Sequence, residues 1–341
     1  MISYIGRRCL QNALLLVGLT VFLFVLFRVQ VLVRCNAGLV APSSVTVSYY
    51  QGCLAQFGLD TPLPLQYVHW LVQAVHGDFG NDSLGAPVLQ AIVDRLPRTV
   101  ILVGAALILQ EVIALLVGIA AALNRSTLLD RLVTALSYLG LALPAFWLSL
   151  LIILIFAVKL AWLPPGGVVS AASPDPIIAA IPAVGSLDYW RYVLAHPLPT
   201  LVDLGAHLIL PAFALAFAGI AEDSQLMRTT MRKELATDYV RTARAKGLRP
   251  QTVVLKHALR NALLPVITKG ALLVPALFSG AAVVETIFGW GGVGQYFVAE
   301  LQHQDYNALL VILLGTGLVT LLANLVADLL YGIVDPRIQY E

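Results

Sequence analysis

Six long apolar runs constrain this chain more than any other feature. They cover about residues 9–27, 99–123, 132–160, 207–227, 262–287 and 308–333. About 18 or more apolar residues in a row can cross a bilayer as a helix. Lipid offers no partner to a backbone N–H or C=O, so each run should pair its own backbone and be helical. The runs are much longer than the short alternating strands of an outer-membrane barrel. The fourth is the weakest, because Glu222 and Asp223 lie inside it. Composition agrees: 59% of residues are hydrophobic and 12% charged, against about 25% charged in soluble domains. Arg7 and Arg8 precede the first run, as in a cleaved signal. That run is longer than a signal core, and no small-residue cleavage site follows closely, so it reads as a retained span.

Lysine and arginine placement orients the spans. The loop 229–261 carries Arg232, Lys233, Arg241, Arg244, Lys246, Arg249, Lys256 and Arg260 against only Glu234 and Asp238. With Arg7, Arg8, Arg125, Arg131 and Arg337 it defines a basic side, which puts both termini in the cytoplasm. The expected organisation is a first span with a cytoplasmic N-terminus at 1–28 and an extracytoplasmic subdomain at 29–97. A core of five spans follows at 98–333, including the cytoplasmic loop 229–261, and a cytoplasmic tail at 334–341. The second outer segment, 161–206, contains "LPPGGVVSAASPDP" and reads as loop. Cys35 and Cys53 fall in the first outer segment, where a disulfide can persist. Spacing alone leaves a bridge and two free thiols both open.

"FGWGGVGQYF" at 288–297 contains G-x-G-x-x-G through Gly289, Gly291, Gly292 and Gly294. That pattern binds dinucleotides when it joins a strand to a helix. Here it follows a membrane span, with no βαβ unit and no acid about 20 residues on. The glycines read as a tight turn and close packing at the outer face. No P-loop motif occurs, and the six histidines are not at metal-ligand spacing. No catalytic set, metal site or resident cofactor is expected, and nothing points to nucleic acid.

The stretch "KELATDYVRTARAKGLRPQTVVLKHALRNALLPVI" is the most informative. Thr237 or Asp238 can cap a helix start. Gly247 suits the left-handed residue after its end, and Pro250 blocks continuation. Leu235, Tyr239 and Ala243 share one face. A solvated basic face near anionic lipid is one reading. Small alanines between charges, on a short capped helix held between two spans, give the shape of a docking peg.

This stretch resembles the coupling loop of ABC importer permeases, and more narrowly that of the dipeptide/oligopeptide/nickel permease family. Arg241, Thr242 and Ala243 stand where the general loop has Glu-Ala-Ala, and Gly247 stands at its glycine. The similarity continues through "YIGRRCLQNALLLVGLTVFLF", "FGLDTPLPLQYVHWLVQAVHGDFG", "LALPAFWLSLLIILIFA", "ETIFGWGGVGQYFVAELQHQDY" and "DLLYGIVDPRIQY". Departures from the family pattern are "RVQVLVRCNAGLVAPSS" after the first span, a longer segment at 168–204, Trp290-Gly291 in the glycine turn, and His257 and Arg260 at the later position of the general coupling loop. The resemblance implies an all-α integral membrane protein of about six spans, the type I importer permease fold, with an outer subdomain after the first span. It implies a homologous second permease, two ATPase subunits holding ATP and magnesium, and an extracytoplasmic substrate-binding protein. Hydrolysis would then belong to the partners, and this chain would not be an enzyme. Substrates would be di- or oligopeptides, with nickel complexes, glutathione or cationic peptides as alternatives. A secondary transporter and a scaffold are the competing classes.

The resemblance assigns ATPase coupling to Glu234, Asp238, Tyr239, Arg241, Thr242, Ala243, Lys246 and Gly247. Glu222 and Asp223 are candidates for the pathway, since charges within spans usually face a bundle interior or water. Pairing of Glu222 with Lys269, or a place for both acids at the headgroup level, would also explain them.

Overall fold

The computed structural model describes residues 2–37, 52, 59–125, 127–170, 173 and 175–334. Among them there is no strand, only an isolated bridge between Asn81 and Pro87. The helices are α1 (Ile2–Ala37), α2 (Leu63–Val75), α3 (Val88–Leu123), α4 (Leu128–Ala142) and α5 (Ala145–Ile152), the last continuing as a π-helical stretch, Ile153–Lys159. Then come α6 (Pro176–Ala179), α7 (Leu187–Ala195), α8 (Pro197–Leu235), α9 (Asp238–Ala245) and α10 (Pro250–Thr252), which runs through a second π-helical stretch, Val253–Ala258. The last three are α11 (Leu259–Phe288), α12 (Val293–His303) and α13 (Tyr306–Val334).

Four helical segments among the described residues are long and apolar enough to cross a membrane: Gly6–Val33, Val88–Leu123, Pro197–Leu235 and Tyr306–Leu325. Asp130–Ala142 and Ala145–Lys159 form a fifth candidate, broken by 109°. The remaining apolar run, the fifth in chain order at 262–287, lies within the 30-residue α11.

The expectation of one straight helix over 132–160 is therefore corrected. Leu143 is extended, with φ −86° and ψ 122°, as the residue before a proline prefers. Pro144, with no N–H to give, then starts a new helix. The fourth span is also longer than its apolar run. The 39 residues of α8 carry the helix seven residues into the expected basic loop.

The chain divides into two compact units, residues 1–95 with 296–322, and 96–295 with 323–339. In the first, Phe24 of α1 is buried and packs edge-on against Tyr67 and beside Trp70 of α2. Thr20 and Tyr67 share a hydroxyl hydrogen bond of 2.9 Å. The Asp82 carboxylate organises the turn before α3. It accepts from the Leu84 and Ala86 N–H groups at 3.0 and 2.9 Å and from the Tyr296 hydroxyl at 2.9 Å. The Arg95 guanidinium lies over the Tyr296 ring, 4.4 Å from its centre. Burial pulls the Asp82 carboxyl up, but these three donors and the Arg95 charge outweigh it and hold the group below its ordinary value. Burial, and then the same carboxylate, push the Tyr296 phenol well up. Cys35 is buried and disulfide-bonded. Cys53 lies outside the described residues, as does the 335–341 tail.

In the second unit α8 is the central post. One apolar cluster gathers Leu102 and Ala106 of α3, Leu148 and Ile152 of α5, Leu210 to Ala216 of α8, and Ala281, Val284 and Phe288 of α11 around Trp290. Glycines set the closest helix approaches. A Cβ on Gly118 would stand 2.7 Å from the Met227 Cβ, and one on Gly140 would stand 2.6 Å from the Ala221 Cβ. These two positions let α3 and α4 lie directly on α8.

Candidate functional site

The short helix α9 is built to protrude yet stay anchored. Thr237 takes the cap position, with φ −72° and ψ 157°. Its hydroxyl does not cap α9 but turns back to the Glu234 carbonyl at 2.6 Å. The helix end is a six-residue Schellman closure. Gly247 holds φ +73°, its N–H donates to the Arg244 carbonyl, and the Leu248 N–H donates to the Ala243 carbonyl. Pro250 then opens α10, where its missing N–H is no loss.

One face of α9 is buried. Val240 and Ala243 pack with Ala122 of α3, Met227 and Met231 of α8, Val253 and Ala258 of the π-helical stretch, and Ala262 and Val266 of α11. The buried pair is thus Val240 with Ala243, whereas Tyr239 is 40% exposed. Tyr239 donates its hydroxyl to Glu234 and accepts from the Asn261 amide at 3.0 Å, stitching the ends of α8 and α11 across α9. Opposite the buried face, Asp238 and Arg241 form an exposed pair at 3.4 Å, and the Thr242 hydroxyl returns to the Asp238 carbonyl. Arg244, Lys246, Arg249, Lys256 and Arg260 are all exposed. The result is a basic knob on an apolar root shared by three long helices.

Glu222 and Asp223 have different surroundings although adjacent. Asp223 is 1% exposed and accepts from Lys269 Nζ and from Gln110 Nε2, both at 2.6 Å. Glu222 is 56% exposed and receives the same Lys269 at 2.8 Å. Gly219 makes room for Gln110, since a Cβ there would stand 2.1 Å from its amide oxygen. Lysine thus pairs with both acids. Asp223 is locked into a network, and Glu222 keeps half its side chain open.

The glycine turn has two uses for its glycines. Gly289 ends α11 in the left-handed conformation with φ +60°, and Gly291 has φ +71°. Gly292 and Gly294 permit close approach instead. A Cβ on Gly292 would lie 2.5 Å from both Glu285 carboxylate oxygens, and one on Gly294 would lie 2.5 Å from the Ala282 Cα. Glu285 is fully buried. It accepts from the Thr99 hydroxyl at 2.7 Å and the Gln295 N–H at 2.9 Å, while the Val293 N–H donates to Thr99. The carboxylate therefore caps the start of α12, where the helix dipole favours an anion. Sequence reading missed this residue. Its signal was an acid in an uncharged run, four residues before the first glycine of the turn. Also missed was Asp130, which binds Arg228 and Arg232. Among the described residues no group of histidine, cysteine and acidic side chains could hold a metal ion.

Residues 114–340 match the family described as the binding-protein-dependent transport system inner membrane component. The chain belongs to that family and is a membrane-embedded permease subunit of this transporter class. It is similar along its whole length to three named relatives. It is 36% identical over 342 residues to the oligopeptide transport system permease protein of Bacillus subtilis strain 168, with 100% of both chains covered. It is 34% identical over 346 residues to the di/tripeptide transport system permease protein of Pseudomonas aeruginosa strain UCBPP-PA14, again with 100% of both covered. The glutathione transport system permease protein of Salmonella typhimurium strain LT2 is 34% identical over 344 residues, with 100% of both covered.

Proposed function

We propose that this chain forms half of the membrane pathway of an ATP-driven importer for di- or oligopeptides. A homologous permease supplies the other half, two ATPase subunits dock on the cytoplasmic side, and a substrate-binding protein docks outside. ATP and magnesium are held by the ATPases. The observation that carries this reading is α9: a capped helix with a basic exposed face, rooted by Val240 and Ala243 among the ends of α3, α8 and α11. Glu234, Asp238, Tyr239, Arg241, Thr242, Lys246 and Gly247 shape or line that knob. Such a root converts a displacement of the knob into a displacement of three spans. A switch of this kind works only if the partner binds the two states with different free energy. Peptide substrates are favoured by the full-length similarity to permeases named for them. Glutathione, itself a small peptide, is the second reading, motivated by the third relative. The basic 229–261 segment orients both termini inward. The subdomain at 29–97 then faces outward, followed by the core at 98–333 and the cytoplasmic tail at 334–341. In the pathway Glu222, half open, attracts the ammonium of a cationic substrate, while Asp223 fixes Lys269.

The test is co-purification of the chain with the ATPases encoded beside it, followed by peptide-stimulated hydrolysis in proteoliposomes. Gly247→Val, Ala243→Asp and Arg241→Glu should each insert normally and lose stimulation. Wild-type stimulation in all three variants would remove α9 from coupling. Uptake of glutathione in preference to every dipeptide would decide for the second reading.

A further inference from the structure

Asp130 opens α4 and is buried. Its Oδ1 accepts from Arg228 Nε at 2.6 Å and from Arg232 Nη2 at 2.8 Å. The two arginines stand one turn apart on α8. Arg232 Nη2 also donates to the Ala121 carbonyl at 3.0 Å, in the last turn of α3. One polar cluster therefore ties the end of α3, the start of α4 and the stem of α8. The charges suit the helix ends: a carboxylate in the first turn of α4 and a guanidinium at the C-terminus of α3.

The cluster lies beside the apolar root of α9. Among the described residues, the root of α9 gathers side chains from α3, α8, α11 and the π-helical stretch, and none from α4. Further along, α4 meets α8 through Ser137 against Ser224 at 3.3 Å and through Gly140 against Ala221. Near α9, the Asp130 pairs hold α4 to the same post. Arg232 is six positions before Asp238, the first residue of α9. Small apolar contacts between helices allow sliding, whereas a shared carboxylate oxygen with two short donors fixes position and direction.

We propose that Asp130 is a positioning residue for transport. It locks the start of α4 to the stem that carries the coupling helix. A displacement of α9 is then carried into α4 and, across the bend at Leu143 and Pro144, into α5. This inference rests on the importer reading above and assigns a part that reading leaves open: how α4 follows the knob.

The experiment uses the full transporter complex in proteoliposomes. Asp130→Asn keeps the shape and removes the charge. Basal ATP hydrolysis should persist, while substrate stimulation should fall by about fivefold or more, the lower end of ordinary coupling between sites. Spin labels at Leu128 and Lys233, both exposed, in a Cys9→Ser background read the clamp directly. In the wild type their separation should be the same with and without ATP. In Asp130→Asn it should change between the two states. Should that variant fail to assemble, Arg232→Lys carries the test. It keeps the charge but its ammonium ends one atom short of the Nη2 that serves both Asp130 and the Ala121 carbonyl, so stimulation and label separation should change in the same directions. Wild-type stimulation with a fixed separation in the variants would overturn the proposal. A wild-type chain that binds no ATPase would instead remove the importer reading itself.

Discussion

Glu222 and Asp223 are chain neighbours of the same charge, yet neutralising them should have very different consequences. Asp223 is 1% exposed and accepts two 2.6 Å hydrogen bonds, from the Lys269 ammonium and the Gln110 amide. Glu222 is 56% exposed and holds the same lysine at 2.8 Å. Breaking a buried ion pair costs about 3–5 kcal/mol when the remaining charge is stranded. In Asp223→Asn the lysine still has Glu222, so the loss should lie below that range, at about 2–3 kcal/mol for one strong bond weakened and one charge removed. In Glu222→Gln the loss should be under about 1 kcal/mol, as for exposed pairs generally. A domain of 150–250 residues shifts by about 2–4 °C per kcal/mol. Thermal unfolding in detergent should therefore drop by roughly 4 °C or more for Asp223→Asn and by less than about 4 °C for Glu222→Gln.

Uptake should show the reverse order if Glu222 faces the pathway. Glu222→Gln should reduce transport of cationic peptides more than of neutral ones, while Asp223→Asn should affect both alike. A double-mutant cycle with Lys269→Gln completes the test. Lysine removal should cost less in the Asp223→Asn background than in the wild type, because the buried carboxylate it would strand is gone. Equal melting shifts for the two acids, or strict additivity with Lys269→Gln, would refute the argument from burial. Equal uptake of cationic and neutral peptides by Glu222→Gln would leave both acids as structural partners of Lys269.

Three further outcomes are expected. Glu285→Ala should strip the α12 start of its carboxylate and leave the Gln295 N–H and Thr99 hydroxyl without their acceptor, costing about 3 kcal/mol or more; unfolding midpoints measure it, and Gly292→Ala should be destabilising at the same place because its Cβ would overlap the carboxylate. Asp82 sits below its ordinary value of 3.8, so its contribution is complete at neutral pH and is lost as pH falls through the lower folded value. The stability advantage of wild type over Asp82→Asn should accordingly be constant near pH 7 and vanish in strong acid, and an advantage that grows on acidification would contradict the sign. Cys35, buried and disulfide-bonded, should react with a membrane-impermeant thiol reagent in intact cells only after reduction; a requirement for membrane disruption would reverse the orientation.

What the sequence disclosed and what it hid follow from the range over which each feature is specified. The spans are local: a window of apolar residues requires a self-paired backbone wherever it lies. Gly247 is local too, since a positive φ after a short helix is written in one residue and its neighbours. The break at Leu143 and Pro144 shows where local reading fails. Pro97 and Pro211 lie inside the unbroken helices α3 and α8, while Pro144 separates two segments by 109°. The three prolines carry the same chemistry, and hydropathy runs unchanged through Pro144 and Pro211 alike. The outcome depends on what the following segment can pack against, and α5 finds its place in the cluster with α8 and α11. The polar pairs are less legible still. Glu285 meets Thr99 across 186 positions, Gln110 meets Asp223 across 113, and Arg228 meets Asp130 across 98. In sequence each is a lone polar residue in or beside an apolar run, and the cost of burying it says only that a partner must exist. Lys269 could be named beforehand because it is the one cation within the next apolar run, 262–287. Asp130 could not be, because Arg232 already had a sufficient use as a topology-setting charge. A residue that satisfies one rule gives no sign that it also serves another, and the second role emerges only when the helix ends are brought together.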